Sequence, residues 1–108
     1  SNFQLTLNDK ANELAFVRNG SLWYYDMDKD NLHEVFSFAQ KKTDYLRDTY
    51  DQHNIKILNF DDNNTINFVV YGYMNCGDYE GRVAVILYNY DPAKNLITER
   101  VYIPLETT

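Results

Sequence analysis

The chain has 108 residues, 44% hydrophobic and 24% charged, with a formal net charge of -6. That balance suits one globular domain, or a piece of a larger one, and the acidic excess argues against a partner held through a phosphate backbone, so no nucleic acid is expected. The single cysteine, Cys76, excludes an intrachain disulfide framework and a cysteine zinc cluster. No apolar run approaches the roughly 18 residues of a membrane-spanning helix, so this segment is not expected to insert in a membrane.

In chain order, Ser1-Asn2 has the form of a remnant left by a cleaved expression tag, and the chain reads as a fragment. Short runs rich in Val, Ile, Leu, Phe and Tyr then predict strands over 3–8, 13–19, 21–27 and 32–38, a first four-stranded unit spanning 3–38. A connection over 39–53 follows. A second unit, 54–104, holds predicted strands over 54–60, 65–74, 82–90 and 95–103, and residues 105–108 form a tail. Turn chemistry punctuates the strands. Asn8-Asp9-Lys10-Ala11-Asn12 and Asp61-Asp62-Asn63-Asn64 are Asx-rich, Asn19-Gly20 is a two-residue hairpin signal, and Asp91-Pro92-Ala93-Lys94-Asn95 is a turn. The fold class is therefore all-β. Ile66–Tyr71 and Val83–Tyr88 are apolar on both faces, as in a sheet covered on both sides, whereas the more polar 95–102 run reads as an outer edge.

The two units align with each other. Asp9 falls on Asp61, Asn12 on Asn64, Leu14 on Ile66, Phe16 on Phe68, Val17 on Val69 and Gly20 on Gly72, without a gap. After an insertion in the second unit, Leu22 meets Leu87, Trp23 meets Tyr88, Tyr25 meets Tyr90 and Asp26 meets Asp91. With one residue dropped, Asn31-Leu32 meets Asn95-Leu96. Matches at both turn and core positions indicate an internal repeat, and repeated four-stranded antiparallel units are the pattern of propeller blades.

The run from Asn8 through Val17 to Leu22-Trp23-Tyr24-Tyr25-Asp26 resembles the blades of TolB-type β-propellers. The second unit, with Phe68–Asn75 and Tyr88-Asn89-Tyr90-Asp91, resembles an uncharacterised group of clostridial cell-envelope proteins with propeller-like repeats. The resemblance implies blade-like sheets and an extracytoplasmic, cell-envelope location. Two blades do not close a ring, so it also implies further blades, a two-sheet sandwich, or association between copies.

Blade topology would put the long connections, 39–53 and 75–81, on one face. They carry the candidate binding residues Asp44, Tyr45, Arg47, Asp48, Tyr50, Asp51, His53, Asn75, Asp78, Tyr79 and Glu80, with Arg82 beside them. Tyr and Arg suit protein–protein contacts; an alternative is a carbohydrate-binding module using loop tyrosines and carboxylates, and the bland alternative is solvated loops with structural ion pairs. The alternating carboxylates Asp26, Asp28 and Asp30 resemble the start of a calcium loop, but the glycine and terminal glutamate of that loop are missing, so a hairpin turn explains them better. His33 and His53 lack metalloprotease spacing, Cys76 sits beside acidic groups that disfavour a thiolate, and no nucleophile elbow or phosphate loop is present. Trp23 and Tyr88 are expected in the core or between blades. The reading is a non-enzymatic binding or scaffold module with no cofactor, whose partner is another protein or a second copy.

Overall fold

The computed structural model describes residues 3–37, 46–47, 55–74 and 80–104, and among them the chain is all-β. The first sheet is a meander of β1 (Gln4–Leu7), β2 (Glu13–Arg18), β3 (Ser21–Asp26) and β4 (Asn31–Ser37) in that order. The second is built on β6 (Ile55–Phe60), β7 (Ile66–Met74), β8 (Val83–Asp91) and β9 (Leu96–Pro104), all antiparallel. The strand β5 (Leu46–Arg47) falls within the connection expected over 39–53; it pairs with Tyr73 and Met74 at the far end of β7. Two residues without alternation give no strand signal, so sequence reasoning could not find it.

Local chemistry sets the turns. Asn19 and Gly20, at φ 51° and 74°, close the β2–β3 hairpin as a two-residue turn with both residues in the left-handed region, the geometry whose twist matches its strands. Asp26 Oδ1 accepts hydrogen bonds from the backbone N–H of Asp28 and Lys29, and Asp91 Oδ1 from that of Ala93. The acidic run Asp26–Asp30 thus shapes its own turn.

The strand pairing confirms the likeness of the two units and corrects its register in two places. Asp26 pairs with Asn31 and Asp91 with Leu96, so the two turns have equal length and no residue is dropped. Asp30, not Asn31, is the counterpart of Asn95: both have positive φ, and Tyr25 Oη donates to Asp30 Oδ1 as Tyr90 Oη donates to Asn95 Oδ1. A β-bulge interrupts both outer pairings at the same point, between Leu22 and Trp23 and between Leu87 and Tyr88, leaving Val35 and Arg100 as the extra residues. At the first turn, Asn8 rather than Asp9 is the counterpart of Asp61, and Ala11 rather than Asn12 that of Asn64. Ala11 N–H donates to Asn8 O and Asn64 N–H to Asp61 O, with Ala11 and Asn64 both at positive φ. A bulge between Ile57 and Asn59 offsets the shorter second turn, which conceals the shift in an ungapped comparison.

The sheets stack over one core. Ala15, Val17, Leu22, Tyr24, Val35 and Phe36 from the first meet Ile55, Ile66, Phe68, Val70, Ala84, Ile86, Tyr88 and Tyr90 from the second. Phe36 lies 5.7 Å from Phe68 and 5.4 Å from Tyr88 between ring centroids, and Tyr24 lies 6.0 Å from Tyr90. The edges are joined by Gln4, whose side-chain Nε2 donates to Ile55 O at 2.8 Å while its Oε1 accepts from Ile57 N at 2.9 Å. A primary amide presents the same donor and acceptor as a peptide group, so Gln4 extends the ladder of β6 from another sheet. Gln4→Ala is expected to destabilise the fold by about 1–2 kcal/mol, the net worth of two such bonds, measured by urea unfolding; Gln4→Glu, which keeps only the acceptor, should restore little of it.

The facing is not symmetric. Phe68, Tyr88, Ile66 and Tyr90 point into the shared core, yet their counterparts Phe16, Trp23, Leu14 and Tyr25 lie on the opposite, outer face of the first sheet. Conversely, the inward Val17, Leu22 and Phe36 correspond to Val69, Leu87 and Val101, which lie on the outer face of the second. Like faces therefore do not meet: the sheets stack head to tail, each presenting a different side to the other.

Candidate functional site

Most of the residues expected to bind fall outside the described part of the chain: Asp44, Tyr45, Asp48, Tyr50, Asp51, His53, Asn75, Asp78 and Tyr79. Arg47 is placed by its backbone in β5, Glu80 is exposed, and Arg82 is half-buried just before β8.

The short-turn end is the better defined polar region. A cleft of about 360 Å³ is lined by Asn8, Asp9, Lys10, Asn12, Glu13 and residues 61–64. Asn8, buried there, accepts at Oδ1 from Asn12 N and Glu13 N, while its Nδ2 faces Asn12 Oδ1, Glu13 Oε2 and Asn64 Oδ1 at 2.8, 3.0 and 3.0 Å. Asn64 Nδ2 donates to Glu13 Oε2 at 2.7 Å, and Tyr24 Oη donates to Glu13 Oε1. Glu13 Oε2 ties the two turns together through Asn64 while its Oε1 is held by Tyr24 of its own sheet, so this cluster is a clasp between sheets. Among the described residues no group of three or more His, Cys, Asp or Glu is arranged to hold a metal ion.

His33 stands on the edge strand β4 and faces the junction between sheets. Its Nε2 is 2.8 Å from Tyr90 Oη, which donates its hydrogen to Asn95 Oδ1 at 2.9 Å. A phenol has one hydrogen, so with that bond made His33 supplies the donor. The ring also packs on Tyr24 at 5.4 Å. This is a structural bond between the units.

Titration follows the packing. Burial pushes the Tyr24 phenol up, with the Glu13 hydrogen bond adding to it; burial and then Glu99 push Tyr88 up to about 12; burial and then Asp91 raise Tyr90. In each case the unfolded phenol loses its proton first. Stability is whole below the ordinary tyrosine range near pH 10 and declines from there to about pH 12 for Tyr88. Unfolding by circular dichroism is expected to accompany tyrosinate absorbance in that window, and ionisation of every tyrosine with the fold intact would contradict it. For Asp61, partial burial alone would raise the carboxyl, but hydrogen bonds from Thr65 Oγ1 and N, Asn67 Nδ2 and Asn63 N hold it below the usual range.

The outer face of the first sheet carries a row of apolar side chains. Two cross-strand rows run over all four strands: Leu7, Leu14, Tyr25 and Leu32, and Leu5, Phe16, Trp23 and Glu34. Phe3 is 67% exposed, Leu32 53%, Leu5 51% and Leu7 45%. Trp23, expected like Tyr88 in the core or between blades, lies on this face and stacks on Phe16 at 6.4 Å and an interplanar angle of 9°. Phe68 and Tyr88 form the same cross-strand pair in the second sheet, 5.4 Å apart at 20°. The aromatic pair is made twice: in one sheet Phe36 covers it, in the other no described element does. Strand alternation could have separated Trp23 from Tyr24, but not said which side meets the neighbouring sheet.

Two antiparallel sheets stacked head to tail, with apolar outer faces, define the class of this protein by architecture. Comparison with protein-family models, curated proteins and solved structures finds no match to the chain.

Proposed function

We propose that the chain is a non-enzymatic scaffold module that works by binding protein through the outer faces of its sheets. The observation that carries this reading is the stacked Phe16–Trp23 pair, flanked by exposed Leu5, Leu7 and Leu32. An apolar surface of this kind on a folded chain marks contact with another apolar surface, and aromatic anchors are what such contacts use. The weight of the contact thereby shifts from the 39–53 and 75–81 connections to the sheet faces. The further reading of the units as blades of a TolB-type propeller in a bacterial envelope protein rests on the sequence motifs.

Cross-linking in the source cells tests the proposal, with wild-type chain and Trp23→Arg compared. A protein cross-linked to the wild type and lost from the variant is expected. Turnover of ester, phosphate or glycoside substrates by the purified chain would overturn the non-enzymatic reading.

A further inference from the structure

We propose that a second copy of this chain docks the outer face of its second sheet on the outer face of the first sheet, repeating the interface that already joins the two sheets within one chain. The proposal rests on the interaction-module reading and names the partner.

The argument is continuity with an interface already made. Inside the chain, one side of the first sheet meets the other side of the second. Because the two sheets are repeats, the second sheet's outer face is the counterpart of the side the first sheet uses inside, and the first sheet's outer face is the counterpart of the side the second uses. Among the described residues each chain therefore carries one half of each kind that nothing covers, and two copies bring complementary halves together. The counterparts fix the contacts. Phe36 packs over the Phe68–Tyr88 pair; its counterpart Val101, 43% exposed, takes that place over Phe16 and Trp23 of the neighbouring copy. Tyr24 and His33 pack against Tyr90; their counterparts Asn89 and Thr98 come over Tyr25. Valine for phenylalanine, and asparagine and threonine for tyrosine and histidine, make this contact smaller and more polar than the internal one, suited to an equilibrium set by concentration. A head-to-tail contact is heterologous, so it adds copies into a closed ring or an open row.

Light scattering on a size-exclusion column tests this with two blocked variants, each checked for its fold by circular dichroism. The wild type is expected to exceed the mass of one chain as concentration rises. Trp23→Arg blocks one face and Val101→Arg the other, and each variant alone should be a monomer. Their equimolar mixture should pair, at twice the chain mass and no higher, because one intact interface remains per pair. Phe16→Arg replaces Trp23→Arg if that variant does not fold. A wild type that stays monomeric at every concentration, or a mixture that does not pair, overturns the proposal. If the chain is monomeric yet a different protein is lost from Trp23→Arg in cells, self-docking fails while the module reading stands.

Discussion

Replacing Phe68 with alanine is expected to destabilise the fold by about 3–5 kcal/mol, the range for removing a buried aromatic ring from a core. Phe68 is fully buried, with Tyr88 stacked at 5.4 Å in its own sheet and Phe36 set edge-on at 5.7 Å from the other. Neither neighbour can collapse into the space without giving up the other contact. A domain of this size has roughly 5–15 kcal/mol of stability in all, so the loss is a large share of it. The matched control is Phe16→Ala. Phe16 is the counterpart of Phe68, with the same residue type and the same cross-strand stack, but it is half-buried on the outer face. Its replacement is expected to lower stability by less than half as much in urea unfolding at low protein concentration. Equal losses at the two positions would mean that the faces are assigned wrongly.

The second large effect is expected at Asn8. Asn8→Ala should remove about 1–3 kcal/mol, because it strips the acceptor from two backbone N–H groups and a donor from Glu13 and Asn64 in a buried position. Asn8→Asp keeps the acceptor but sets a carboxylate beside Glu13, and should recover only part of the loss at neutral pH. The counterpart Asp61 tolerates a carboxylate because Thr65, whose hydroxyl donates to it at 2.7 Å, stands where Glu13 stands in the first unit. Asp61 also gives the acid side of the pH profile. Its carboxyl is held below the usual range, so its contribution is present above the ordinary aspartate range and is lost as pH falls through the lowered value. Asp61→Asn should therefore flatten the acid limb.

Much of this architecture is legible in the residues. Strand existence followed from short β-rich runs between Asx and Gly turns, and the Asn19-Gly20 hairpin from its two residues alone. The repeat was legible as well, because core identities such as Phe16 with Phe68 and Tyr25 with Tyr90 survive in order. Its exact register was not. A bulge at Leu58 and a turn shorter by one residue offset each other, so Asp9 and Asp61 align in sequence while Asn8 and Asp61 do the same work. The facing of the sheets was also hidden. In strands apolar on both sides, alternation separates the two faces but does not say which one is covered, so it could not tell that Trp23 lies on the outer face of its sheet while its counterpart Tyr88 lies in the core. For the candidate site, loop length and tyrosine content point to 39–53 and 75–81, most of which lies outside the described residues. The proposed sheet face gives no such signal, because no single residue on it stands out from core composition.

Head-to-tail stacking underlies both the core and the proposed self-docking, and proton–proton NOEs between assigned aromatic rings test it most directly. Phe36 should show contacts to Phe68 and Tyr88, and Tyr24 to Tyr90, as their centroid separations of 5.7, 5.4 and 6.0 Å require. Phe16 and Trp23 should show contacts to each other and none to Phe68 or Tyr88. NOEs joining Phe16 or Trp23 to Phe68 and Tyr88 would mean that like faces meet in a two-fold sandwich, and would contradict the stacking and the docking together.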